Sequence, residues 1–487
     1  MTPGFTATAP MSDARAQEIA ASFDLRALPP DFYANPYPVY ELLRAHDPIH
    51  RMPDGSYFLT RHADLVAVYR DAQAFSSDKK MEFEPRYSAG SALFEHHTTS
   101  LVFNDPPLHT RVRKLIMGAL TRRAIADMAP GLVRLVDSLL DAIEAKGGGD
   151  LVEDFAAAIP VEIIGNLLGV PHAERTPLRG WSLAILGALE PKLSPEQEAL
   201  GNQSVREFTA YLKALVAERK RHPGDPANDV LTRLIQGATS GETAQQTLSE
   251  TELLQNCVFI LNAGHETTTN LIGNALVSLQ EWPESRTWML SNMELLTHDS
   301  IGLEAYLTLA VDEFLRFKSS NQLREAEIAN VPFLGALAGC SARRSERRVA
   351  SHTCEEQRRN APGSAAKNGI LAFPASLSNR RALKASRIGD VEVPQGSLLT
   401  LCIGAANRDP AQFSQPDRLD LTRQNNRHLA FGFGIHQCAG LSLARLEGRI
   451  ALGRFLRRFP GYRLTGTALR GGRARFRGFL QAPFSVG

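Results

Sequence analysis

The residues most able to do chemistry lie near the end of the chain, in Phe431-Gly432-Phe433-Gly434-Ile435-His436-Gln437-Cys438-Ala439-Gly440, a glycine-rich loop that leads into a helix starting near Leu441. A cysteine at the entrance of a helix sits beside unpaired backbone N–H groups and the positive end of the helix dipole. Both favour thiolate, the form that binds metals and attacks electrophiles. The glycines let the loop backbone approach a flat partner closely. An isolated cysteine in a tight turn is more often an inert buried side chain, so the loop needs company to carry a function.

That company is found in three other places. Ala263-Gly264-His265-Glu266-Thr267-Thr268 falls in the middle of a long apolar run, where a threonine hydroxyl bonding back to a carbonyl one turn earlier loosens the helix and the glycine makes a local widening cheap. Glu313 and Arg316 stand at i and i+3 on one helix face, where they can pair. His109 and Arg113, in Asp105-Pro106-Pro107-Leu108-His109-Thr110-Arg111-Val112-Arg113, share a face at i and i+4.

Together, and in this order, these segments resemble the cytochrome P450 family from about residue 30 to the end of the sequence, with the cysteine loop matched at Phe431, Gly434, Cys438 and Gly440. The resemblance implies haem b, iron protoporphyrin IX, with Cys438 as its thiolate ligand pushing electron density toward O–O cleavage. It implies that Ala263 and Gly264 border the cofactor and that Glu266 and Thr267 are an acid-alcohol pair relaying protons. Haem propionates need cationic or hydrogen-bonding partners when buried; His109, Arg113 and His436 are candidates, and Arg380 falls at the family's further position, counting back from Val393-Pro394-Gln395-Gly396. Glu313 and Arg316 map to the family's ExxR motif, whose later arginine is best matched by Arg418. The implied reaction is monooxygenation of an apolar small-molecule substrate by O2, with electrons from a separate ferredoxin or flavodoxin and its reductase, since the sequence carries no flavin or nicotinamide fingerprint. Arg111, Lys114, Arg122, Arg123 and Arg445 could form the basic docking face. Two other readings are a peroxide-driven peroxygenase and a haem-binding but catalytically impaired protein. His265 is expected to face away from the site.

The elements that must position these residues are mostly helical. Ser249 with Glu252 is a capping-box pattern, and the run that follows meets no breaker until Pro283, which predicts one helix of about thirty residues. The stretch from about 105 to 320 reads as a helical bundle. PDGSYFLTRH and VEVPQGSLLTLCIG read as strands, so the expected fold is mainly α with a small β-rich region, of haem-thiolate type. We expect a flexible N-terminal segment over 1–27 and a single domain over 28–487. Arg316 and Arg380 lie 64 positions apart, several times the spacing the resemblance implies. An insertion at about 324–378, disordered and rich in Arg, Ala, Ser and Gly, is therefore expected. Its Cys340, His352 and Cys354 fit no common zinc module.

Composition narrows the rest. With 54 Lys+Arg against 52 Asp+Glu and 43% hydrophobic residues, nothing global points to nucleic acid or an anionic membrane. No basic region precedes a long apolar run at the start, and no window reads as a membrane span, so the expectation is a cytoplasmic protein without membrane insertion. Five scattered cysteines argue against a disulfide framework.

Overall fold

The reciprocal cap at Ser249 nucleates the longest element of the protein. Its hydroxyl accepts from the Glu252 amide at 3.1 Å, and the Glu252 carboxylate accepts from the Ser249 amide at 2.8 Å. The helix then runs over Glu250–Glu281, 32 residues or about 48 Å, and stops one residue before Pro283. The computed structural model describes residues 12–88, 90–189, 193–226, 229–239, 248–320 and 379–487. Within them this central helix is buried along most of its length, from Leu253 to Leu279.

Around it pack Ala92–Thr99, Ala158–Leu168, Thr176–Gly187, Pro195–Arg221 and Leu441–Arg458, which supply the main core. The helix Arg122–Lys146 lies on Leu441–Arg458 and ends at Gly147, whose φ of 72° is the left-handed conformation that suits a C-terminal cap.

A five-stranded sheet forms the β-rich side, in the order Ile49–Arg51, Tyr57–Leu59, Leu398–Leu401, Asn379–Ala382, Phe75–Ser76. Only the Tyr57–Leu59 and Leu398–Leu401 pair is parallel. The sheet knits the first sixth of the chain to the last quarter, and its register sets Arg380 opposite Leu399. The mainly helical fold with small sheets is the one expected.

The start of the chain departs from expectation. Rather than being flexible through residue 27, Asp13–Ala21 is a helix, with the Ser12 hydroxyl accepting from the Arg15 amide. It buries Ala16 and Ala20, and the chain after it buries Phe23 and Leu25. Phe23 packs on Phe32 and Phe58 in a small separate core. Two alanines four residues apart give a weak apolar face, and its partners lie further along the chain. The expected insertion at about 324–378, with Cys340, His352 and Cys354, lies outside the described residues. Among the described residues no helix is long and apolar enough to cross a membrane.

Candidate functional site: a cavity with a cysteine at its edge

The cysteine loop is closed by its own backbone. The Cys438 amide donates to the Phe431 carbonyl at 2.8 Å, and Gly440 opens the helix Leu441–Arg458 by accepting from the Ala444 amide at 2.9 Å. Gly432 and Gly434 have φ of 64° and 69°, and at Gly434 a Cβ would lie 2.3 Å from the Tyr69 carbonyl oxygen. Glycine is thus required at 434 by the neighbouring helix His62–Arg70, not by anything in the cavity.

The loop forms part of a cavity of about 270 Å³ that gathers residues from distant parts of the chain. His109, Arg113, Ala263, Gly264, Thr267, Arg380, Phe431, His436, Cys438 and Gly440 all line it; Glu266 and Gly434 do not. Most of the remaining lining is apolar and includes Leu101, Phe259, Ile260, Leu271 and Leu315.

The electrostatics differ from the sequence expectation at the cysteine. Burial pushes the Cys438 thiol above its ordinary range. The Gly440 amide and the Arg113 and Arg445 guanidinium groups pull it down without reversing the shift. The helix terminus alone therefore does not make a thiolate here, whereas a coordinated cation would.

One side of the cavity is strongly cationic. His109 and His436 have ring centroids 4.1 Å apart. Burial, then Arg113, pushes His109 down to about 4; burial, then Arg380, pushes His436 down to about 2. Arg380 is buried over the Tyr69 ring at 5.1 Å. Lys79, missed in the sequence, is buried behind them, 3.5 Å from Glu82, and burial pushes it down to about 8. Glu82 also pairs with Arg381 at 3.0 Å. Of the cationic side chains here, Arg113 and Arg380 line the cavity, while Lys79 and Arg381 stand behind it on Glu82, and Asp105 acts on His109 and Arg380. His436 Nε2 is buried with no hydrogen-bond partner among the described residues. Residues of this kind fit a ligand with a metal for the sulfur and two carboxylates for the basic side, as in haem.

The central helix presents Thr267, whose hydroxyl donates to the Ala263 carbonyl at 2.8 Å. The back-bond is the expected one, but the helix stays α-helical through it, without the expected widening. Glu266 is turned away, paired with Arg473 at 2.6 Å. Another buried acid does line the cavity: Glu447, on the helix after the loop, is pushed up to about 8 by burial, so it is mainly protonated at neutral pH. His265 is buried off the cavity, as expected.

The ExxR pair is completely buried. Arg316 donates to both Glu313 carboxylate oxygens at 2.7 and 2.8 Å, and to the carbonyls of Asn407, Pro416 and Arg418 at 2.7–3.0 Å. Arg418 therefore contributes its backbone, not its guanidinium. The arginine that reaches Glu313 is Arg423, at 3.1 Å, joined by Asn426 at 3.1 Å and the Asp420 amide at 2.9 Å. The expected docking face is also reduced. Arg111 is paired with Glu252, and Arg445 with Asp312 at 2.7 Å; Lys114, Arg122 and Arg123 are exposed.

A mainly helical fold in which a cysteine loop and an internal threonine border one cavity, with a buried Glu-Arg pair bracing the segment that leads into the loop, defines the haem-thiolate class. The family model for cytochrome P450 matches residues 188–326 and 371–461. Cytochrome P450 107B1 of Saccharopolyspora erythraea is 34% identical over 74% of this chain and 70% of its own length. The cytochrome P450 monooxygenase PikC of Streptomyces venezuelae is 32% identical over 90% and 87%. Among solved structures, epothilone D-bound cytochrome P450epoK superposes with a TM-score of 0.73 at 30% identity, covering 95% of this chain and 99% of that one. The chain belongs to the cytochrome P450 family, of the bacterial type, and is an oxidoreductase of the monooxygenase kind.

Proposed function

We propose that this chain uses O2, two electrons and two protons to place one oxygen atom in an apolar small molecule, the other atom leaving as water. The observation that carries this reading is that Cys438 and Thr267, 171 residues apart in sequence, border the same largely apolar cavity. Haem b, when bound, supplies the redox iron and the oxygen-activating chemistry.

Cys438 would hold the iron, and His109, Arg113, Arg380 and His436 would hold the propionates, with Lys79 adding positive charge behind them. Ala263 and Gly264 border the cavity on the central helix and would lie beside the cofactor; glycine suits 264 because a Cβ there would stand 2.8 Å from the Ile164 side chain. The Thr267 hydroxyl, with its proton committed to Ala263, offers its lone pairs to the cavity as an acceptor and passes protons onward only by rotating. Glu266 exchanges protons with the cavity only when its pair with Arg473 opens. The apolar walls exclude water and take the substrate skeleton. Electrons come from a separate ferredoxin or flavodoxin with its reductase, docking at a face that includes Lys114, Arg122 and Arg123.

The test is Cys438→His in haem-loaded protein. We expect haem to be retained, the thiolate signature to vanish from the reduced carbon monoxide spectrum, and oxygenation to be lost. An unchanged spectrum with unchanged turnover removes Cys438 as the ligand and the proposal with it.

A further inference from the structure

One part of the cavity wall is polar, and it is built as a row. Gln255 Nε2 donates to Glu95 Oε2 at 3.4 Å, Gln255 Oε1 meets His96 Nδ1 at 3.0 Å, and Asn262 Nδ2 meets His96 Nε2 at 3.2 Å. Glu95 is exposed, while Gln255, His96 and Asn262 are each at most 4% exposed. The outer end fixes the direction of every bond. A carboxylate only accepts, so Gln255 gives its amide N–H to Glu95 and its oxygen to His96. His96 then carries its proton on Nδ1 and accepts at Nε2, and Asn262 must supply the N–H. Burial keeps His96 neutral, pushing it down to about 4.

The row therefore ends in the Asn262 carbonyl. That oxygen is buried and meets no donor among the described residues, and both Asn262 and His96 line the cavity. A buried acceptor left unpaired is costly, and its amide cannot turn over without breaking the bond to His96. Asn262 precedes Thr267 by five residues, about 7.5 Å along the central helix.

We propose that Asn262 Oδ1 is the polar recognition point of the substrate cavity. It accepts a hydrogen bond from a hydroxyl or amide N–H on an otherwise apolar substrate, and so decides which end of the substrate lies toward Thr267 and Cys438. The inference rests on the monooxygenase reading of the cavity.

The experiment titrates haem-loaded protein, by its absorption change and by calorimetry, with isomeric pairs from hexan-1-ol and 1-methoxypentane up to dodecan-1-ol and 1-methoxyundecane. Each ether keeps the atoms and the acceptor oxygen of its alcohol but lacks the O–H. We expect at least one alcohol to bind tenfold or more tightly than its ether, and Asn262→Leu to bring that ratio within twofold while ether affinity stays within threefold. Asn262→Ala serves as the second variant if the first does not fold. No alcohol preference in any pair, or a preference that survives in the variants, overturns the proposal. The reduced carbon monoxide spectrum separates the two levels. A normal thiolate spectrum without alcohol preference sinks this inference alone, whereas a missing thiolate spectrum in the wild type sinks the reading beneath it as well.

Discussion

At the scale of single residues, the sequence was most informative where function is written in contiguous motifs. Cys438, Thr267 and the Glu313–Arg316 pair are read from neighbours within a few positions. Lys79, Glu447 and Arg473 have no such signature, because their significance arises from burial and from partners far away in the chain. The same limit explains the choice of Arg418 over Arg423. Both follow the motif at similar separations, and only the path of the loop decides which side chain turns inward to Glu313 and which lends a carbonyl. This has a measurable consequence. Arg423→Ala leaves part of the charge on a fully buried carboxylate uncompensated and is expected to cost about 3–5 kcal/mol, read as a lower urea midpoint and faster haem loss. Arg418→Ala keeps the carbonyl that Arg316 uses and is expected to change stability by less than about 0.5 kcal/mol. Equal effects of the two would remove Arg423 from the network.

At the scale of elements, the capping box at Ser249 and the proline at 283 located the central helix to within a residue or so, because caps and breakers are local chemistry. The N-terminal helix was not legible: its buried face is two alanines, and its stability comes from tertiary contacts. The central helix also carries a cost that no motif reveals. Both ring nitrogens of His265 are buried without a partner among the described residues, and burial, with Arg179 adding to it, pushes the imidazole down to about 3. Its pKa in the folded protein is thus below that of the unfolded chain, near 6.5. The unfolded state binds the extra proton, and stability is lost as pH falls from about 6.5 toward 3. His265→Leu removes that dependence. The variant should be at least as stable as the wild type at pH 7, and its advantage should grow by about 2 kcal/mol at pH 5. Urea unfolding of both proteins at the two pH values measures the difference, and parallel losses would exclude His265 as a source of acid sensitivity.

At the scale of the whole molecule, the family model matches the chain on both sides of residues 327–370 and leaves those residues unmatched. The described flanks locate the two ends. Ser320, three residues after the helix Ser300–Phe317, lines the same cavity as Arg380, the second residue of the strand Asn379–Ala382. The chain must therefore leave and re-enter across a single cavity. Joining Leu323 to Asn379 through one glycine would place four residues between Ser320 and Asn379, enough to reach about 17 Å when extended. Shortening the connection from 58 residues to 4 is close to four halvings, worth about 2 kcal/mol of closure entropy. The groups we assign to the cofactor all lie outside the excised stretch. The shortened protein is accordingly expected to bind haem at full occupancy, to give the same reduced carbon monoxide spectrum as the full chain, and to unfold at equal or higher temperature. A shortened protein that folds but fails to take up haem would show instead that residues 324–378 contribute directly to the cavity.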